Sequence, residues 1–264
     1  MESEPVLVKT AVSAGLRARV ASLGLLALDV VFPPVCLACH EAVASADGLC
    51  VGCWGQLVPI SAPLCPVLGL PFAADMGAGA VSVAAIAHPP PYDRARSAVA
   101  YTDLARRLVS MMKYSDRPEV ARFCARLMAN AGRDLLGHDA VLVPVPLHRR
   151  RQRWRRYNQS AELARALAGL ANLPLVTDLV IRHRNTIQQV GLNAGQRARN
   201  VEGAFGVDPG GLHRLAGRRI VLVDDVLTTG ATVSAIARLL RRKGAGAIDV
   251  LSFARVVFDA DMTI

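Results

Sequence analysis

The chain has 264 residues, 31 basic against 21 acidic, with a net charge of +10 and a pI near 10.0. That length suits one large domain or two small ones. With 52% hydrophobic and 20% charged residues it is too apolar to be disordered, and 21 Gly, 15 Pro and six Cys exclude collagen-like and disulfide-dense secreted classes. The basic excess is nearly all arginine, since lysine occurs only at Lys9, Lys113 and Lys243. Arginine forks suit phosphate groups, and a GC-rich genome also raises arginine counts, so composition alone leaves the meaning of the charge open.

Residues 16–32 (LRARVASLGLLALDVVF) form the first dense apolar stretch. A membrane span needs roughly 18 or more consecutive apolar residues; this run is shorter and carries Asp29. No small-residue cleavage site follows it, as a signal peptide requires. The expectation is a helix within residues 1–32, stopped by Pro33-Pro34 and packed on its own protein, in a cytoplasmic chain.

Next come Cys36, Cys39, Cys50 and Cys53, spaced C-x2-C-x10-C-x2-C. Two such knuckles can set four thiolates around a tetrahedral zinc ion. The competing disulfide reading fits poorly with a chain lacking an export signal. All four positions are protein ligands and none is left for water, so the metal is expected to be structural and to supply much of the segment's stability. Cys65 and Cys124 stand alone and read as buried thiols, and His40 reads as a surface residue. The expected organisation is a zinc-binding module over 33–72, a linker rich in Ala, Gly and Pro over 73–91, and a larger domain over 92–264.

Within that domain the residue pattern predicts helices over 105–112, 119–131, 160–170 and 231–240, and strands over 140–145, 219–223 and 248–253. Strands of continuous apolar residues are buried on both faces, and their alternation with helices implies a mostly parallel α/β sheet. The most informative segment is Ile220–Thr232, IVLVDDVLTTGAT. Ligands of open α/β sheets bind at the carboxyl ends of strands, where this turn lies. Ionised Asp224 and Asp225 can accept from vicinal sugar hydroxyls where the strand ends. Thr228, Thr229, Gly230, Ala231 and Thr232 offer backbone N–H groups and hydroxyls at a helix N-terminus, which suits a phosphate. Together they describe a ribose 5-phosphate. No G-x-x-x-x-G-K-[ST] or complete dinucleotide fingerprint competes.

These residues resemble the 5-phosphoribosyl 1-diphosphate (PRPP) motif of type I phosphoribosyltransferases. MKYSDRPE (112–119), VPVPLHRRR (143–151), RRYNQSAELA (155–164) and RNTIQQVGLNAGQRARNVEGAF (184–205) narrow the resemblance to the ComF family, which is associated with bacterial competence and DNA uptake. It spans about residues 25–258 and implies a parallel twisted sheet of the type I phosphoribosyltransferase kind, preceded by a small zinc ribbon-like module. It implies that Asp224 and Asp225 hold the ribose hydroxyls and that Thr228–Thr232 hold the 5-phosphate. Pro146, Leu147 and His148 would match the pyrophosphate loop, with Arg149 nearby, and Thr186–Asn200 the covering loop. Magnesium would accompany PRPP. Where many relatives have a second cysteine pair, this chain has Leu68 three residues after Cys65, which puts a second zinc site in doubt.

Arg149, Arg150, Arg151, Arg153, Arg155 and Arg156 crowd one segment with Trp154 and Tyr157 interleaved. A solvated face, a pyrophosphate-side role and binding of single-stranded DNA all fit this pattern. Two function classes follow: a phosphoribosyltransferase of unknown acceptor, and a non-catalytic PRPP-sensing or DNA-binding protein of competence.

Overall fold

The computed structural model describes residues 33–77, 79–114, 117–147, 158–183, 203–208, 210–215 and 217–257. The expected N-terminal helix, His148, Arg149, the rest of the arginine cluster and the 186–200 loop lie outside these residues. The chain divides into two compact units, residues 1–50 and 51–264.

In the first unit, Cys36 N–H donates to Glu41 O and His40 N–H to Cys36 O, closing a tight turn in which His40 has a φ of 65°. In the second, a four-stranded parallel sheet is built from β1 (Arg94–Ala100), β2 (Ala140–Pro144), β5 (Arg219–Leu227) and β6 (Ile248–Arg255), in the order β1-β6-β5-β2. β3 (Val180–Arg182) and β4 (Phe205–Val207) form a separate antiparallel pair. The helices are α1 (Val51–Trp54), α2 (Val83–Ala87), α3 (Asp103–Tyr114), α4 (Pro118–Ala131), α5 (Gln159–Ala171), α6 (Gly211–Arg214) and α7 (Ala231–Arg242). The parallel α/β architecture is therefore as expected, and the longer predicted helices and strands are present with ends shifted by a few residues.

The strands run through the core as their apolar composition requires: every residue of β2 and β6 is buried. Val233, Ile236, Ala237 and Leu240 of α7 pack with Val141, Val143, Ile220, Leu222, Ile248 and Val250 in one continuous cluster. Burial of such side chains is worth about 2 kcal/mol each. α4 and α5 pack on β1, β2, β5 and β6 and on each other. β6 also carries Asp249, fully buried, held by Arg94 at 2.7 Å and Arg219 at 3.1 Å.

Both sheet edges are covered. Ile60 N–H donates to Ala98 O, Ala100 N–H to Val58 O and Ala95 N–H to Val67 O, so residues 58–67 blunt the β1 edge. Gly69 is required there: its φ is +64° and a Cβ would lie 2.2 Å from Ala95 O. Leu142 N–H to Pro174 O and Val176 N–H to Leu142 O cover β2. The segment read as a linker contains α2, capped by Ser82, whose side chain accepts from Ala85 N–H.

Candidate functional site

β5 extends further than its apolar run. Its pairing with β6 continues to Leu227, so Asp224 and Asp225 lie within the strand and not after it. The β2 side is what ends early. Val145 N–H donates to Val223 O as the last rung, and Val145 O is taken by Asn158 Nδ2 at 3.0 Å. Asp225 N–H, left without a strand partner there, donates to Asp224 Oδ1 at 2.9 Å. The loss of a neighbouring strand opens β5 at its carboxyl end, where such sheets bind ligands.

Each carboxylate accepts hydrogen bonds on its Oδ1, and Asp225 also engages its Oδ2. Asp224 Oδ1 also accepts from Ser160 Oγ, at the start of α5, at 3.1 Å. Asp225 Oδ1 accepts from Val226 N–H at 2.8 Å, and Asp225 Oδ2 meets Lys113 Nζ, in the last turn of α3, at 2.7 Å. Burial, and then the adjacent Asp225 charge, push the Asp224 carboxyl up to about 7. Burial alone would lower the Lys113 ammonium, but the charge and hydrogen bond of Asp225 and the charge of Asp224 outweigh it and hold it above its ordinary range.

β5 leads directly into the turn that opens α7. Thr228–Gly230 bend, Gly230 has a φ of 72°, and α7 starts at Ala231 with no side-chain cap. A left-handed residue at that place favours glycine. The first helical bond from this turn is Ser234 N–H to Gly230 O. The first turn of a helix leaves N–H groups without intrahelical acceptors, a setting that attracts anions. On the other side, Pro146 and Leu147 follow β2, half-buried. Asn158 clamps the far end of that loop, since its Nδ2 binds Val145 O while its Oδ1 caps α5 by accepting from Ser160 N–H.

Thus Asp224, Asp225 and Thr228–Thr232 form one continuous stretch at the end of β5, and Pro146 and Leu147 follow the strand beside it. Sequence reasoning did not single out Lys113, Ser160 or Asn158. A signal was available: Lys113 is one of three lysines in the chain, and all three residues fall in the segments 112–119 and 155–164.

The ligand atoms of Cys36, Cys39, Cys50 and Cys53 all lie within 4.8 Å of one another. A tetrahedral zinc site with bonds of about 2.3 Å sets its sulfurs about 3.8 Å apart, and Cys39 Sγ and Cys50 Sγ are 3.6 Å apart. Burial would raise the Cys36 thiol, but hydrogen bonds from the backbone at Cys39, Cys50 and Ala38 lower it to about 6. The donor set therefore fits a structural zinc. Cys65 and Cys124 are fully buried. Cys65 Sγ accepts from Leu68 N–H, Ser82 N–H and Ser82 Oγ. Among the described residues no helix is long and apolar enough to cross a membrane.

Comparison with known families matches a double zinc ribbon domain to residues 27–82 and a phosphoribosyl transferase domain to residues 158–256. The chain is 36% identical over 234 residues to DNA utilization protein YhgH of Salmonella typhimurium, covering 85% of this chain and 98% of that protein. It is 32% identical over 229 residues to Competence protein F of Haemophilus influenzae, covering 83% and 96%. Competence protein ComFC of Bacillus subtilis is 27% identical over 204 residues, covering 76% and 81%.

Proposed function

Because the chain belongs to the ComF family, in which a zinc ribbon is joined to a phosphoribosyltransferase-type domain, we propose that it binds PRPP and transfers its phosphoribosyl group with release of pyrophosphate. The observation that carries this reading is the adjacent carboxylate pair at the open end of β5, one turn before the Gly230 bend. Asp224 and Asp225 accept from the ribose hydroxyls through their outer oxygens. Thr228–Thr232 receive the 5-phosphate on the N-terminal turn of α7. Pro146, Leu147, His148 and Arg149 flank the diphosphate, and Thr186–Asn200 close over the site to exclude water.

In the transfer, the lone pair of an incoming nucleophile forms a bond to ribose C1 as the C1–O bond to the diphosphate breaks. The diphosphate leaves with that electron pair, through an oxocarbenium-like transition state. The chain supplies no covalent nucleophile; it aligns the reactants and excludes water. The all-oxygen donor set of Asp224 and Asp225 suits magnesium, a hard cation that takes most of its ligands from phosphates and water. Asp224 and Asp225 would hold it, and it would neutralise charge on the departing diphosphate. Four cysteines gathered as zinc ligands suit the cytoplasm as the working compartment.

The relatives' names, DNA utilization protein and Competence protein, favour a role for this chemistry in the handling of DNA taken up by the cell. The segment 149–156 is the candidate contact for single-stranded DNA, in a catalytic or a purely PRPP-sensing protein. If its six arginines meet phosphates, log affinity falls against log salt with a slope of about −4. A flat salt response refutes the DNA role. Calorimetry with PRPP and magnesium tests the primary reading: binding heat that disappears in Asp225→Asn supports it, and no heat from the wild type refutes it. Pyrophosphate release with candidate acceptors separates transfer from sensing.

A further inference from the structure

Each carboxylate of the pair gives one oxygen to the fold. Asp224 Oδ1 is taken by Ser160 Oγ and Asp225 N–H, and Asp225 Oδ1 by Val226 N–H. The oxygens left for a sugar are Asp224 Oδ2 and Asp225 Oδ2, and the second already carries the Lys113 ammonium at 2.7 Å. A cation is thus delivered to the edge of the diol site by the last turn of α3, on an element separate from the motif that defines the site. The Lys113 side chain is 26% exposed, so it is not sealed into the fold.

Resting on the PRPP reading above, we propose that Lys113 is a substrate-binding cation that selects ligands carrying a diphosphate at ribose C1. The chemistry follows from the sugar. The C1 substituent sits on the carbon next to the 2-hydroxyl, so a cation beside the carboxylates that hold the diol lies beside the group on C1. An ammonium has three donors and no acceptor. It can keep Asp225 with one and give another to a diphosphate oxygen, joining recognition of the diol to recognition of the leaving group. Ribose 5-phosphate, with a hydroxyl at C1, offers it no anion. Val226 and Ser160 hold the carboxylates in place whether or not the lysine is present, so its role is separable from theirs.

The test is calorimetry on the full-length chain at fixed magnesium and pH, titrating PRPP and ribose 5-phosphate into wild type, Lys113→Met and Lys113→Arg. Lys113→Met is expected to weaken PRPP about ten- to a hundredfold, the loss of one charge-assisted hydrogen bond, and to leave ribose 5-phosphate within about twofold. The preference for the diphosphate ester then collapses, and Lys113→Arg restores most of it. If Lys113→Met does not fold, Lys113→Gln carries the same comparison with a polar, uncharged tip. Equal weakening of both ligands means a structural role and overturns the inference, as does no change in either. Both results leave PRPP binding by the wild type intact, whereas a wild type that binds neither ligand overturns the functional reading and this inference with it.

Discussion

Asp224→Asn separates what the carboxylate pair does for the ligand from what it does to the fold. Burial and the neighbouring Asp225 charge raise the Asp224 carboxyl from 3.8 to about 7. The folded state therefore holds this proton more tightly than the unfolded chain. Its favourable contribution is complete below 3.8 and is lost as pH rises through about 7. Once ionised, such a group opposes folding by at most roughly 4 kcal/mol. The amide oxygen of the variant still accepts from Ser160 Oγ and Asp225 N–H, so the substitution removes the charge and keeps the anchors. Between about pH 5.5 and about pH 8 the wild type should lose up to about 2 kcal/mol relative to Asp224→Asn. For a domain of this size that is ~4–8 °C in Tm. Urea unfolding of both proteins at the two pH values measures the gap directly, because the other titrating groups are shared. The variant should be the more stable at the higher pH and the poorer PRPP binder, the usual exchange at a charged site. A gap independent of pH, or a variant less stable at about pH 8, refutes the argument.

Cys50→Ser should reduce bound zinc from near one per chain to near zero by elemental analysis, with loss of the segment's thermal protection. Full retention of zinc refutes the four-thiolate site. Asp249→Asn removes the buried partner of Arg94 and Arg219 and should destabilise by about 3 kcal/mol in denaturant unfolding. A change under about 0.5 kcal/mol contradicts that reading of β6. Gly230→Ala forces a side chain into a φ of 72° at about 1 kcal/mol. It should weaken PRPP more than it lowers Tm, and an unaltered affinity rules out the turn as the phosphate site.

The sheet was legible where burial alone decides structure. β2 and the apolar part of β5 are continuous runs of aliphatic residues, and they are buried as such runs must be. β1 was not legible, because RARSAVA places Arg94 and Arg96 where a buried strand would carry apolar residues. Those charges are offset by Asp249 from β6 and by Asp134, partners 155 and 38 residues away in the chain. The extension of β5 through its aspartates was hidden for a similar reason, since backbone pairing to β6 sets its end and side-chain chemistry does not. In the site, Asp224, Asp225 and the Gly230 turn were legible as a group because they are contiguous in IVLVDDVLTTGAT. Lys113 and Ser160 arrive from α3 and α5, and only the packing of those helices brings them to the same carboxylates.

A crystal structure with PRPP and magnesium bound is the most direct test. Expected there are the ribose 2- and 3-hydroxyls on Asp224 and Asp225, the 5-phosphate on Thr228–Thr232, and Lys113 Nζ turned to a diphosphate oxygen. PRPP held elsewhere, with the Lys113–Asp225 ion pair undisturbed and no sugar against the carboxylates, would contradict it.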